Sequence, residues 1–492
     1  MYRILMFAAS ILFICGVILV STRGDQSSPL SKPPELRAHD HELSLTLHAV
    51  ADSHGRDSFA FNGQNVAPIL RVFPGDTLQI EYVNDLPKLA KGSCAISPCM
   101  DMTNLHFHGL QVSPNAPQDD VLTMMAMPGQ TLHYTVSIPQ DHPPGLYWYH
   151  THPHGESHRQ VRDGMSGAIV IEGMGRYVPE VRNLPEQILI VRGQSISGDP
   201  QAVSLLKRVE APANTCGEAT GDVDEIFTVN GTIRPQVAIA PGEKQFLRIV
   251  NASADRYIDF QVDGEPLTIV AMDGMPIAYH DPAHPTLVAN HFLVPPAGRL
   301  EAIVTGPAPR AHAALRSLCV DTGSEGDPNP GMVLADIVSG SRAAPVPRKS
   351  VDNLRPPDHK VANLQTLEQS APDFVATFTE DKKGFYINSQ LYKQDSDPMR
   401  VAHVGTYEHW RIVNATEELH PMHIHQVHFL AFAENERPVA DPVWLDTVNV
   451  PVHGSVDVIM DFTNPVIRGM SLFHCHLLNH EDKGMMAKIL FK

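Results

Sequence analysis

Twelve residues near the C-terminus hold a dense set of metal donors: His474-Cys475-His476-Leu477-Leu478-Asn479-His480-Glu481-Asp482-Lys483-Gly484-Met485. Cys, His and a weakly held Met are the donor types of a blue-copper electron-transfer centre. The two histidines that flank Cys475 allow a second metal centre to be wired to the first through a single residue. That arrangement suggests one-electron oxidation at one copper and oxygen chemistry at another.

Strand geometry supports two centres. Successive side chains of a strand point to opposite faces, and residues two apart share a face. His474 and His476 therefore point together, and Cys475 points away from them. The run His420-Pro421-Met422-His423-Ile424-His425 repeats the parity: His423 and His425 share a face, while His420 can turn to the other. One face would collect His420, Cys475, His480 and Met485, and the other His423, His425, His474 and His476. Two more pairs lie far upstream, in His106-Phe107-His108-Gly109 and in Trp148-Tyr149-His150-Thr151-His152. The four pairs together supply eight imidazoles, too many for one copper or zinc ion and suited to a cluster of several. An isolated His-x-His means little, but four of them, one enclosing a Cys and followed by His and Met, form a context.

These four segments resemble the copper-binding signatures of the multicopper oxidases: H-x-H-G, W-x-H-x-H, H-P-x-H-x-H, and the final H-C-H run ending in Met. They stand here in the family's order, and the resemblance extends from about residue 40 to the end. It is strongest for three-domain bacterial members, the laccase-like and copper-efflux oxidases. The resemblance implies four copper ions. His420, Cys475 and His480 would hold the type 1 copper, with Met485 as weak axial ligand. His106 and His423 would hold the type 2 copper. His108, His150, His152, His425, His474 and His476 would hold the type 3 pair. It further implies that electrons from a small donor pass through Cys475 and its neighbours to a trinuclear cluster that reduces O2 to water. The donor would be a phenol, an aromatic amine or a low-valent metal ion.

Reduction of oxygen to water consumes protons, so acids near the cluster are expected. Asp119, in the loop after the first His pair, and Glu481, beside His480, match acidic positions that the family places near the cluster and links to proton delivery. Glu417 and Glu418, just before His420, could face the donor or cap a loop; the loop is the simpler reading. His154 belongs to a recurrent family string but is not a usual ligand. His133, His142, His158, His403, His409 and His428 lack ligand context and are expected at the surface or in hydrogen bonds. The methionines Met100, Met102, Met124, Met125 and Met127 read as packing, since Met commonly fills gaps. No Met-rich insert precedes the third signature, which weakens a cuprous-ion reading.

The elements that must position these donors read as β-structure. Asn62-Gly63, Pro74-Gly75 and Val83-Asn84 recur as Asn230-Gly231, Pro241-Gly242 and Val250-Asn251, and again as Asn388-Ser389, Gly405 and Val413-Asn414. Each copy reads as strand, turn, strand, which indicates sandwiches or barrels. At about 150 residues per domain, 492 residues make three domains. The expected layout is residues 40–175, 186–340 and 358–492, with a Pro- and Arg-containing linker from 341 to 357. All ligand pairs fall in the first and last, so the trinuclear site belongs at their interface and the middle domain reads as a spacer. The resemblance makes the class all-β, with three cupredoxin-like Greek-key barrels.

The formal net charge of −18 argues against nucleic acid, which needs a basic face, and favours solubility and cationic partners. Residues 1–24 contain Arg3 and an apolar run from 4 to 20, the order of a secretory leader or an N-terminal membrane anchor. An exported chain, periplasmic or extracellular, follows. Of six cysteines, Cys15 lies in the leader and Cys475 in the metal motif. The other four allow two disulfides in an exported protein, and Cys94–Cys99 with Cys216–Cys319 is the preferred pairing against free thiols. A non-enzymatic copper-binding or envelope assembly protein of the same fold is the alternative function; the complete ligand set disfavours it.

Overall fold

The structure is a computed structural model that describes residues 28–87, 101–195, 216–217, 225–308, 313–340 and 360–492. The leader, the Cys94–Cys99 pair and the 341–357 linker lie outside the described residues. Among the described residues no helix is long and apolar enough to cross a membrane.

Six sheets make three two-sheet barrels. In the first, a four-stranded sheet runs Asp57–Ala60, Glu42–Ala51, Thr77–Asn84, Thr131–Ser137. It faces a five-stranded sheet ordered Glu35–Arg37, Ile69–Val72, Ser166–Ile171, Gly145–His150, His106–His108. Glu42–Ala51 alternates as its sequence demands, with Leu43, Leu45, Leu47 and Ala49 turned to the core and polar residues outward. Gly145–His150 is buried on both faces, because its outer face packs on the second domain. There Ile69, Leu146, Trp148 and Val170 meet Ile188, Ile190 and Val250.

The internal repeat has a structural basis. Asn62-Gly63, Asn230-Gly231 and Asn388-Ser389 each place two consecutive residues at positive φ, the hairpin geometry that matches the twist of the flanking strands. The asparagine that ends each copy is a buried pin. Asn84 Nδ2 donates to the carbonyls of Asp101 and Ala126. Asn251 Nδ2 donates to those of Arg256 and Val294, and Asn414 Nδ2 to those of Glu418 and Val450. Each side-chain oxygen accepts the backbone N–H two residues on, from Leu86, Ser253 and Thr416. The same amide thus ties the crossing loop to its barrel three times.

In the third barrel, His420–Ile424 lies between Gly469–Cys475 and Thr447–Val450. Cys216 and Cys319 are joined in a disulfide with Cα atoms 5.8 Å apart, the pairing expected for these two. Cys475 is a buried free thiol.

Candidate metal centres

Cys475 lies opposite Met422 and His474 opposite His423 in the antiparallel register of the two ligand-bearing strands. That register puts the two faces to different uses. On one, His420 Nδ1 is 3.3 Å from Cys475 Sγ and 3.4 Å from His480 Nδ1, and His480 Nδ1 is 4.0 Å from the sulfur. Leu477 N–H donates to the sulfur at 3.4 Å. Met485 is buried beside them, its carbonyl accepting from Cys475 N–H. Burial pushes the Cys475 thiol up and the imidazoles of His420 and His480 down, so the triad as folded is neutral and ready to exchange a proton for a metal ion.

On the other face the early pairs meet the late ones. His106 stacks on His425 and His108 on His423, each with ring centroids 3.8 Å apart. His152 Nε2 and His425 Nε2 lie 3.4 and 3.1 Å from His474 Nε2. His476 packs 5.1 Å from His108 and 5.6 Å from His150. All eight are buried. The ends of the polypeptide do converge.

The outer partners of these rings decide what the inner nitrogens can do. His150 Nδ1 donates to the Thr151 carbonyl, His423 Nδ1 to that of Asp446, and His474 Nδ1 to that of Cys475. His106 Nδ1 meets the Asp119 carboxyl and His108 Nε2 that of Asp446. Each ring proton is therefore spent outward, and a lone pair is left inward. His106 Nε2, His108 Nδ1, His150 Nε2 and His423 Nε2 are buried without a hydrogen-bond partner. Burial and neighbouring imidazoles hold His106, His108, His152, His425 and His476 well below the usual histidine range, so protons do not fill the gap at those rings. Converging buried lone pairs with outward-anchored protons are what a cluster of borderline cations requires. The donors fit copper.

Asp119 is buried, accepts from Phe107 N–H at 2.9 Å and Gln426 Nε2 at 2.7 Å, and is raised by burial to about 7. Glu481 lies 3.3 Å from His474 Nδ1 and 3.6 Å from His152 Nε2, pushed well up by burial. A cavity of about 500 Å³ lined by Met102, Met125, His154, Tyr392 and Met486 reaches Glu481. Met124 packs on the first core. His154 is hydrogen-bonded to Gln394 and Tyr392, and His142, His158, His409 and His428 are likewise held by polar partners.

Two readings change. Glu418 does not merely cap a loop: it is buried, with Oε1 3.1 Å from His480 Nε2. The middle domain is more than a spacer. Its Arg299 and Asp273 reach Asp446, the acid that holds His108. The Met272-Asp273-Gly274-Met275 string carries the Asp-Gly signal of a tight hairpin, and both turn residues have positive φ. Where that turn points is a tertiary matter that strand periodicity does not encode.

Sequence profiles of the multicopper oxidases match residues 45–175, 148–335 and 356–492. The chain belongs to the multicopper oxidase family and is a copper-dependent oxidoreductase of three cupredoxin-like domains. It is 23% identical to a multicopper oxidase of Staphylococcus haemolyticus, over 88% of this chain and 83% of that one. It is 24% identical to the laccase of Bacillus subtilis, over 87% and 89%. Among solved structures, the multicopper oxidase of Campylobacter jejuni, described as a metallo-oxidase, superposes with a TM-score of 0.70 at 23% identity, covering 95% of this chain and 96% of that one.

Proposed function

We propose that this enzyme oxidises a low-valent metal ion, ferrous or manganous in type, and couples four such one-electron steps to the reduction of O2 and four protons to two water molecules. His420, Cys475, His480 and Met485 would hold the type 1 copper. His106 and His423 would hold the type 2 ion. His108, His150, His152, His425, His474 and His476 would hold the type 3 pair. When bound, these coppers supply one-electron acceptance at one centre and oxygen reduction at the other. The chain does the rest. His480, its side chain 8% exposed while His420 and Cys475 are fully enclosed, is the edge open to a donor. Cys475 joins that triad to His474 and His476 by covalent bonds. Asp119, raised to about 7, and Glu481, which meets the cavity, are placed to hold and deliver protons.

The observation that carries the donor class is the Glu418–His480 contact. Glu418 shares a cleft with Asp255 and Asp327 beside His480. The cleft offers about 10 Å³, room for one water-sized group and not for an aromatic ring. Burial and the adjacent Glu380 push Glu418 far up, so the two carboxyls share a proton that an arriving cation can replace. Oxygen donors suit ferrous and manganous ions better than cuprous. The apolar run behind Arg3 and the Cys216–Cys319 disulfide support an exported enzyme working in an oxidising compartment.

Oxygen uptake on ferrous, manganous and cuprous ions and a panel of phenols tests the reading. Hard ions should be oxidised at a higher kcat/KM than phenols, and Glu418→Gln should lower the ion value at least about tenfold, about 1.4 kcal/mol, while sparing phenols. Faster phenol turnover that ignores the Glu418 change would exclude it.

A further inference from the structure

The three domains meet at one buried ion pair. Arg299, on the middle domain's strand Arg299–Thr305, extends its fork to Asp446 of the third domain: Nη1 donates to Oδ1 at 2.8 Å and Nη2 to Oδ2. Both residues are fully enclosed. Asp446 Oδ1 also meets His108 Nε2 of the first domain at 3.1 Å and accepts from Thr447 Oγ1 at 2.9 Å.

The guanidinium is fixed in turn. It donates to the carbonyls of Ala297 and Asp273. Asp273 accepts the backbone N–H of Arg299 at 2.8 Å, and its other oxygen accepts those of Asp446 at 3.2 Å and Thr447 at 3.1 Å. The Asp273-Gly274 turn is wedged between domains. Gly274 O accepts from Tyr147 Oη at 3.1 Å, and a Cβ on Gly145 of the first domain would sit 2.1 Å from that carbonyl oxygen. Middle-domain backbone, not a flexible tip, therefore sets where Asp446 can be.

We propose that Arg299 is a positioning residue for the oxygen-reducing centre: by clamping Asp446 it commits the Nε2 proton of His108 outward and aims the Nδ1 lone pair at the cluster. His108, a first-domain ring, faces a third-domain carboxylate that the middle domain clamps. Among the other rings, His106 faces Asp119, a first-domain carboxyl that accepts from Gln426 of the third domain, His474 and His152 face Glu481, and His150, His423 and His474 donate to the main-chain carbonyls of Thr151, Asp446 and Cys475. Through this clamp the middle domain, which supplies no ligand, governs assembly of the cluster. The inference rests on the cluster assignment made above.

The test replaces the pair by apolar residues of similar shape, Arg299→Met with Asp446→Leu. Substitution of a whole buried ion pair commonly leaves a fold standing, whereas removing one partner strands a charge. Copper per chain, chelator competition, the blue absorption and the near-ultraviolet band of the coupled pair are read together with Tm. The double variant should keep its blue colour and lose cluster affinity by about 10–100-fold, the usual cost of an outer partner. Arg299→Lys, which keeps the charge but not the fork, should lose less and decides the matter if the double variant does not fold. Native cluster affinity in whichever variant folds would overturn the proposal. A wild-type chain that binds a single copper and lacks the near-ultraviolet band would instead overturn the cluster assignment itself.

Discussion

The triad of His420, Cys475 and His480 and the eight-histidine centre hang from the same pair of strands, yet they close in different ways. All donors of the triad come from the third domain, with His420 and His480 60 residues apart in sequence. The larger centre is completed only when the strands His106–His108 and Gly145–His150 of the first domain meet His423, His425, His474 and His476, with the middle domain holding Asp446 from behind. The triad is thus a property of one barrel and the cluster a property of the assembly. A chain that loses its domain docking should lose the second and keep the first.

The sharpest way to break this contrast is Cys475→Ser. Blue absorption and donor oxidation should fall to background while the histidine cluster still binds copper, measured by metal quantitation and the near-ultraviolet band. Loss of both centres together would show that they are not separable. Glu481→Gln touches only the cluster side: kcat should drop by about a hundredfold, the ordinary cost of a positioned proton donor, with the blue band unchanged. The asparagine pins come next. Asn414→Ala removes a donor from two carbonyls and the acceptor of the Thr416 N–H close to His420, whose Nε2 faces Thr416 Oγ1 at 2.8 Å. It should cost roughly 2 kcal/mol in denaturant unfolding and shift the blue band. Asn84→Ala, its first-domain counterpart, should cost a similar amount and leave that band alone.

The smallest effect concerns the tie between domains beside His480. His158 Nε2 lies 2.7 Å from Asp255, and although burial opposes its charge the carboxylate raises it to about 9, well above an ordinary histidine near 6.5. A raised histidine stabilises the fold fully below the unfolded value, and the contribution disappears as pH climbs through the folded one. His158→Gln should therefore lower stability by roughly 1 kcal/mol at pH 6 and by almost nothing at pH 10, read as Tm across that range. A pH-independent loss would assign His158 a packing role.

Much of this was legible in the chain. The Asn-Gly repeats mark hairpins because only that backbone geometry follows the strand twist, and they fell where three barrels turn. Strand parity sorted His420 and Cys475 from His423, His425, His474 and His476, since a two-residue period is fixed by the pleat. Glu418 and Arg299 were not legible. A glutamate before a ligand histidine and an arginine in an apolar strand carry no local signal of what they will face.

The sequence by itself determined which atoms could bind metal and on which side of each strand they would stand, because these depend on covalent order and backbone period alone. Only the tertiary structure decided that the first-domain imidazoles stack on the third-domain ones at 3.8 Å, and that a middle-domain guanidinium stands behind them. Those contacts are set by how three buried surfaces pack, and side chains that are distant in sequence meet there without any short-range pattern to announce it.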